Sequence, residues 1–139
     1  YKKFVSGADV VIGSRYVKGG KTNDSKVSII MSHILNFVFR IITGIKAKDI
    51  STDFRMYDTK QLKAVKLTCQ NYDILQEVLL KMKINNRKLV VKETPIVFEK
   101  RLYGESKRQL FKFILGYVKT LFMLIGVRIN ASFNKNRQK

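Results

Sequence analysis

The sequence is poor in several residue types at once: one cysteine, one proline, one histidine and no tryptophan in 139 residues, with 10 Asp and Glu set against 28 Lys and Arg. With Cys69 alone, no disulfide can close within the chain, and a Cys-rich zinc site or a secreted disulfide scaffold is excluded. A reducing compartment is the default. His33 alone excludes any site that needs two histidines, including the helical His-Glu-x-x-His zinc centre. No charged leader precedes an apolar signal segment, and a chain that begins at Tyr1 reads as incomplete. No internal repeat and no low-complexity tract is visible. What is present is a folded domain's worth of apolar side chains, 45% of the residues with 11% aromatic, carrying a net charge of +18. Such an excess calls for an anionic partner: nucleic acid, acidic lipid or a phosphorylated substrate.

Residues 8–13, Ala-Asp-Val-Val-Ile-Gly, are short, apolar and β-branched, and predict a buried strand that empties into a loop at Ser14-Arg15. Ligands of open α/β sheets bind at that end of a strand, so Arg15 is either a ligand contact or a solvated loop charge. Residues 18–24 are Gly-rich and polar and read as a flexible loop without the spacing of a phosphate loop. Residues 27–42 predict a helix, with Asp24 or Ser25 as N-cap and Gly44 as its stop. The helix is apolar nearly all round, except that Ser28, Ser32, Asn36 and Arg40 recur every four residues along one stripe. That seam either lines a polar cavity from a buried helix or forms the helix's solvent face.

Residues 45–60 concentrate Asp49, Ser51, Thr52, Asp53 and Arg55 in a loop that leads into a short strand near 54–57. Such loops carry binding chemistry on rigid scaffolds, though capping and turn duties explain the same residues. A helix from Asp73 to about Met82 sets Glu77 opposite its apolar face, four residues before Lys81, as a surface ion pair contributing about 0.3–0.5 kcal/mol. A strand at 89–91 and an edge segment at 95–98 follow, the latter tolerating the missing donor of Pro95. The loop 100–108 joins four cations to Gly104 and Ser106, a composition suited to a phosphate. Residues 110–129 have the length of a membrane span. Lys112 and Lys119, with Gly116 and Thr120 beside them, make a polar strip that fits a helix lying in the headgroup region of an anionic membrane, the alternative being a buried core helix. The basic tail, 130–139, is expected to be disordered.

The order of motifs is more specific than any one of them. Ala8-Asp9-Val10-Val11-Ile12-Gly13-Ser14-Arg15-Tyr16 with Lys18-Gly19-Gly20 is followed by Ser32 and Asn36, then Asp49-x-x-Thr52-x-Phe54-Arg55-x-Tyr57. Tyr72 and Glu77 come next, then Pro95-Ile96-x-Phe98-x-x-Arg101-x-x-Gly104-x-Ser106-Lys107. Over residues 5–110 this series resembles the C-terminal half of a family 2 glycosyltransferase, of the dolichol-phosphate mannosyltransferase-like and bacterial undecaprenyl-phosphate glycosyltransferase subgroup.

The resemblance implies an α/β fold, the C-terminal portion of a Rossmann-like GT-A domain over 1–109 that carries the acceptor side. It implies transfer of a sugar from a nucleotide-sugar donor to a polyprenyl phosphate, dolichyl or undecaprenyl, at the cytoplasmic face of a membrane. The divalent metal, Mg or Mn, expected for the full-length enzyme binds an Asp-x-Asp motif that these 139 residues do not contain, so the chain alone is expected to be inactive and to hold no metal ligands. Arg15, Arg101 and Lys107 are implied as the catalytic cations on phosphate groups, with Ser106 and Ser32 as substrate contacts. Asn36, Asp49, Arg55 and Glu77 fall in the same substrate-binding set, with Asp49 and Arg55 organising the site floor. Glu77 matches a glutamate common in the family, and its helical position favours a positioning role over that of a general base. Two departures stand out: Ser28 replaces an arginine frequent one turn before Ser32, and Asp53 replaces Gly or Ser. Two rivals compete with this reading. A nucleic-acid module has only the charge in its favour and lacks any zinc-finger or RRM-type signature, so no nucleic-acid partner is expected. A noncatalytic membrane-surface adaptor shares the membrane partner but gives no reason for Arg15, Arg101, Ser106 and Lys107.

Overall fold

A computed structural model describes residues 2–69, 74–99 and 110–136. The chain runs α1 (Lys2–Val5), β1 (Val10–Ser14), β2 (Lys21–Thr22), α2 (Lys26–Thr43), β3 (Arg55–Tyr57), α3 (Thr59–Lys63), α4 (Ile74–Asn85), β4 (Val91–Pro95), β5 (Val97–Phe98) and α5 (Leu110–Asn136). It is a mixed α/β arrangement. β1 lies at the centre of a three-stranded sheet, antiparallel to β3 and parallel to β4, with Ile12 opposite both Arg55 and Glu93. Every residue of β1 is buried, as its unbroken apolar run requires of a strand paired on both edges. Asp9 fixes its start: the Oδ2 of Asp9 accepts from the Val90 amide at 2.7 Å and its Oδ1 accepts from Gln61.

The loop expected at 18–24 is partly ordered into β2, which pairs in parallel with β5. Gly20 makes the close approach possible, since a Cβ there would stand 2.5 Å from the Ser14 carbonyl oxygen. Helix α2 matches its expected span. Ser25 accepts from the Ser28 amide as N-cap, and Gly44 ends the helix in the left-handed region at φ 68°, where a side chain is strained. Helix α3, capped by Asp58, is an element the periodicity did not predict, being too short to show one. Asp73, the expected cap of α4, lies outside the described residues.

The core joins Val10 and Ile12 of β1 to Phe39 and Ile42 of α2, Ile45 and Ile50 of the following loop, Leu79, Leu80 and Met82 of α4, and Leu124 of α5. Helix α2, for which burial is one of two readings, leaves one side open: Val27, Ile30, Ile34, Phe37 and Ile41, spaced three and four apart, are 52% to 62% exposed. Helix α5 continues through Asn136, past the start of the expected tail at 130, because no Gly or Pro follows Gly126 to interrupt it. It packs against α2 and α4 through buried Thr120 and Leu124, so Thr120 belongs to the packed face and not to a solvated strip. Its other side exposes Val118, Phe122, Ile125, Ile129 and Phe133.

Candidate functional site

The site forms where β1 ends. Arg15, the next residue, turns its guanidinium toward the loop after α2 and makes a two-point contact with Asp49: Nε to Oδ2 at 2.8 Å and Nη2 to Oδ1 at 2.9 Å. Its backbone amide also donates to Oδ2, at 3.0 Å. Nη2 further reaches the hydroxyls of Ser32 (3.1 Å) and Ser51 (3.0 Å), and Nη1 reaches Asp24 at 3.3 Å. The Arg15 guanidinium lies over the rings of Tyr16 and Phe98, 5.0 and 5.6 Å from their centroids, a cation–π arrangement. Asp24 is free for this role because Ser25 takes the helix cap.

Asp49 is fully buried. Besides Arg15 it accepts from Ser51 Oγ at 3.1 Å and from Asn36 Nδ2 at 3.4 Å. Burial is the largest single influence and opposes the charge on both partners, and the hydrogen bonds and charge attraction between them together outweigh it. Asp49 is consequently held below the ordinary carboxylate value and Arg15 above the ordinary guanidinium value. The pair is a fixed, neutral clamp.

The seam of α2 thus divides along its length. Ser28 and Arg40 at its ends are exposed, Ser32 is half-buried, and Asn36 is buried against Asp49. Its middle faces the polar cluster and its ends open to solvent. Arg55 sits beneath the loop and holds it by its backbone, donating to the carbonyls of Thr52 (2.7 Å), Leu75 (2.7 Å) and Ile50. None of these hydrogen bonds reaches Arg15. Asp53 is exposed and stands apart from the cluster.

Glu77 is elsewhere, and its expected surface location is corrected. It is fully buried on α4, because residues 66–69 fold over it. Its carboxylate accepts from the Thr68 amide (3.0 and 3.1 Å), the Thr68 hydroxyl (2.5 Å), the Cys69 amide (2.9 Å) and Lys81 Nζ (2.6 Å). Burial would raise its pKa, but the Lys81, Thr68 and Cys69 hydrogen bonds bring it down to about 2. Its geometry is that of a brace for the 66–69 loop. Arg101, Ser106 and Lys107 lie outside the described residues.

Sequence reasoning missed Glu93. This residue on β4 accepts from the Lys48 amide (2.8 Å) and the Asp49 amide (3.0 Å), and so sets the loop that carries Asp49. A lone acid on a short strand gives no periodic signal, and only the register beside Ile12 reveals it. The carboxylates near the site are therefore committed to Arg15 or to backbone amides. Among the described residues no three His, Cys, Asp or Glu side chains gather as metal ligands, and the cluster does not fit a divalent cation.

Comparison with known proteins bears on this geometry. The chain is 33% identical over 128 residues to a dolichol-phosphate mannosyltransferase of Pyrococcus furiosus, an alignment covering 86% of the chain and 34% of that relative. It is 32% identical over 104 residues to a polyprenol monophosphomannose synthase of Mycolicibacterium smegmatis, covering 73% and 39%. It is 33% identical over 104 residues to an undecaprenyl-phosphate mannosyltransferase of Micrococcus luteus, covering 72% and 42%. The chain therefore spans well under half the length of these relatives. No family model matches it. With the motif order from Arg15 to Arg55 gathered on one sheet end, these relationships make the chain a member of the family 2 glycosyltransferases, in the subgroup of polyprenyl-phosphate enzymes.

Proposed function

We propose that the chain is the acceptor-side part of a GT-A glycosyltransferase that moves a sugar from a nucleotide-sugar donor to a polyprenyl phosphate. The observation that carries this reading is the convergence of Arg15, Ser32, Asn36, Asp49 and Ser51, from three separate segments, at the C-terminal end of β1. In the reaction an oxygen of the polyprenyl phosphate bonds to the anomeric carbon, the bond from that carbon to the nucleotide diphosphate breaks, and the nucleotide diphosphate leaves with the electron pair. An acceptor that is already anionic needs no strong base. What the protein supplies is alignment of two phosphate-bearing substrates that repel one another.

In this reading Arg15 is pre-set by Asp49, and an acceptor phosphate displaces Asp24, the longest of its ionic contacts. Arg101, Ser106 and Lys107 complete the phosphate contacts, and the divalent metal and the nucleotide pocket belong to residues other than those described. Glu77 and Arg55 position the backbone around the site.

The membrane reading is supported by two apolar faces. The exposed row on α2, which runs from Val27 to Ile41 over about 21 Å, lies on the side of the helix away from Asn36 and Phe39. The exposed row on α5, with Phe122 at 72% and Phe133 at 67% exposed, adds to it. Apolar faces on a protein of charge +18 suit the surface of an anionic bilayer, cytoplasmic where nucleotide sugars are made. The same charge opposes pairing with a second copy. Sedimentation of the complete protein with anionic vesicles, alongside transfer of labelled sugar to a short-chain polyprenyl phosphate, tests the reading. Neither binding nor transfer by folded protein would overturn it.

A further inference from the structure

Glu93 is half-buried on β4 and forms no ion pair among the described residues. Its two carboxylate oxygens go instead to two successive backbone amides, Oε2 to Lys48 at 2.8 Å and Oε1 to Asp49 at 3.0 Å. An anion held by consecutive amides is a charge-assisted, directional contact. Asp49 is thereby held from two sides: its amide faces β4, and its carboxylate faces Arg15, Ser51 and Asn36. The same strand also fixes the other partner of the clamp. β4 runs in parallel beside β1, from Val10 opposite Val91 to Ser14 opposite Pro95. The Ile96 amide just beyond it donates to the Ser14 carbonyl at 3.1 Å, on the peptide that leads into Arg15. β4 thus sets where Arg15 leaves the sheet through its backbone, and where Asp49 meets it through one side chain.

We propose that Glu93 is a positioning residue for sugar transfer, its carboxylate holding the backbone of Lys48 and Asp49 so that Asp49 presents Arg15 to the acceptor phosphate. The inference deepens the transfer reading and rests on it for what Arg15 does. Glu93 acts through Asp49, because its carboxylate bonds to loop amides and not to Arg15. Without that carboxylate two amides lose their acceptor, and the loop must move to find another. Asp49 accepts from the Arg15 backbone amide, Nε and Nη2, so any shift of the loop turns the guanidinium with it. Catalysis by alignment is steep in such displacements. Glu77, under the 66–69 loop, holds no residue of the cluster. Glu93 differs in that one of its two amides belongs to Asp49 itself.

Two readouts separate positioning from mere support of the fold. The first is a double-mutant cycle on kcat/KM for transfer to a short-chain polyprenyl phosphate by the complete protein, using Glu93→Gln, Arg15→Gln and the pair. Glu93→Gln keeps the size of the side chain and removes its charge and one acceptor. It is expected to lower kcat/KM about tenfold in the wild type and by less than about twofold in Arg15→Gln, because residues that act through one group are not additive. Glu93→Asp keeps the charge but falls one methylene short of the two amides, and is expected to lower kcat/KM by a smaller factor with the same dependence on Arg15. Val91→Ala loosens the same strand at the core without altering either carboxylate contact, and is expected to lower thermal stability and leave kcat/KM unchanged. The second readout is the proton–nitrogen signal of Arg15 Nε in the complete protein, assigned by its loss in Arg15→Gln. It is expected to move toward that of free arginine in Glu93→Gln and to stay in place in Val91→Ala. Equal changes of kcat/KM in both backgrounds, a matching loss in Val91→Ala, or an Arg15 signal unmoved by Glu93→Gln would overturn the proposal. A moved Arg15 signal in folded protein that transfers no sugar would count against the transfer reading and not against the placement of Arg15 by Glu93.

Discussion

Arg15 meets both carboxylate oxygens of Asp49, at 2.8 and 2.9 Å, across 34 residues of sequence. The contact ties the end of β1 to the loop after α2, and the hydroxyls of Ser32 and Ser51 close around the same guanidinium. A buried pair of this kind is worth little against an apolar replacement but is costly to break from one side, because the surviving charge is left without its partner.

Asp49→Asn is accordingly expected to destabilise the fold by about 3 kcal/mol, read from urea unfolding. The double variant Arg15→Met with Asp49→Leu is expected to be more stable than Asp49→Asn. Equal loss in the single and double variants would mean that the pair is not a coupled unit.

Glu77 predicts acid sensitivity of a definite sign. Its carboxyl titrates at about 2 in the folded protein against an ordinary 4.5. A depressed folded value means that the group stabilises the fold fully above about 4.5 and that the contribution is lost as pH falls from there toward 2, on the order of 3 kcal/mol in total. Unfolding free energy followed from pH 7 to pH 3 is expected to fall steeply below pH 4.5 in the wild type. Glu77→Gln is expected to be less stable at neutral pH and flatter across that window.

The outward face of α2 separates binding from folding. Ile34→Asp with Phe37→Asp changes two exposed side chains, so stability is expected to move by only about 0.5 kcal/mol per site. Sedimentation with anionic vesicles is expected to drop several-fold. Unchanged sedimentation would assign membrane contact to α5 alone.

Gly20 tests the packing of the segment after Arg15. Gly20→Ala places a Cβ 2.5 Å from the Ser14 carbonyl oxygen, a backbone contact that cannot yield easily, and is expected to cost about 1–3 kcal/mol. A neutral result in thermal unfolding would show that β2 and its turn can shift away.

Much of this was legible in the sequence, and the reasons differ by residue. β1 and α2 carry strong local signals, an unbroken β-branched run and a helix framed by Ser25 and Gly44. The gathering of Arg15, Ser32, Asn36 and Asp49 followed from motif order and not from any one spacing. Glu77 misled because an i,i+4 partner such as Lys81 reads as a surface pair, while the loop that covers it leaves no trace in helical periodicity. Glu93 and the β2–β5 pairing were invisible for a related reason: elements of two to five residues show their partners only in three dimensions. The exposed row on α2 was hidden by the apolarity of the whole helix, which looks alike whether its outer face meets protein or lipid.

The central claim is tested most directly by incubating the complete protein with a short-chain polyprenyl phosphate, magnesium or manganese, and a panel of UDP- and GDP-sugars, comparing wild type with Arg15→Gln and Lys135→Gln. The expected result is a sugar joined to the polyprenyl phosphate by the wild type and by Lys135→Gln, with transfer by Arg15→Gln reduced at least about tenfold, equivalent to about 1.4 kcal/mol of transition-state stabilisation. Transfer that is equal in all three would contradict the placement of the site, and no transfer from any donor by folded, vesicle-bound protein would contradict the function itself.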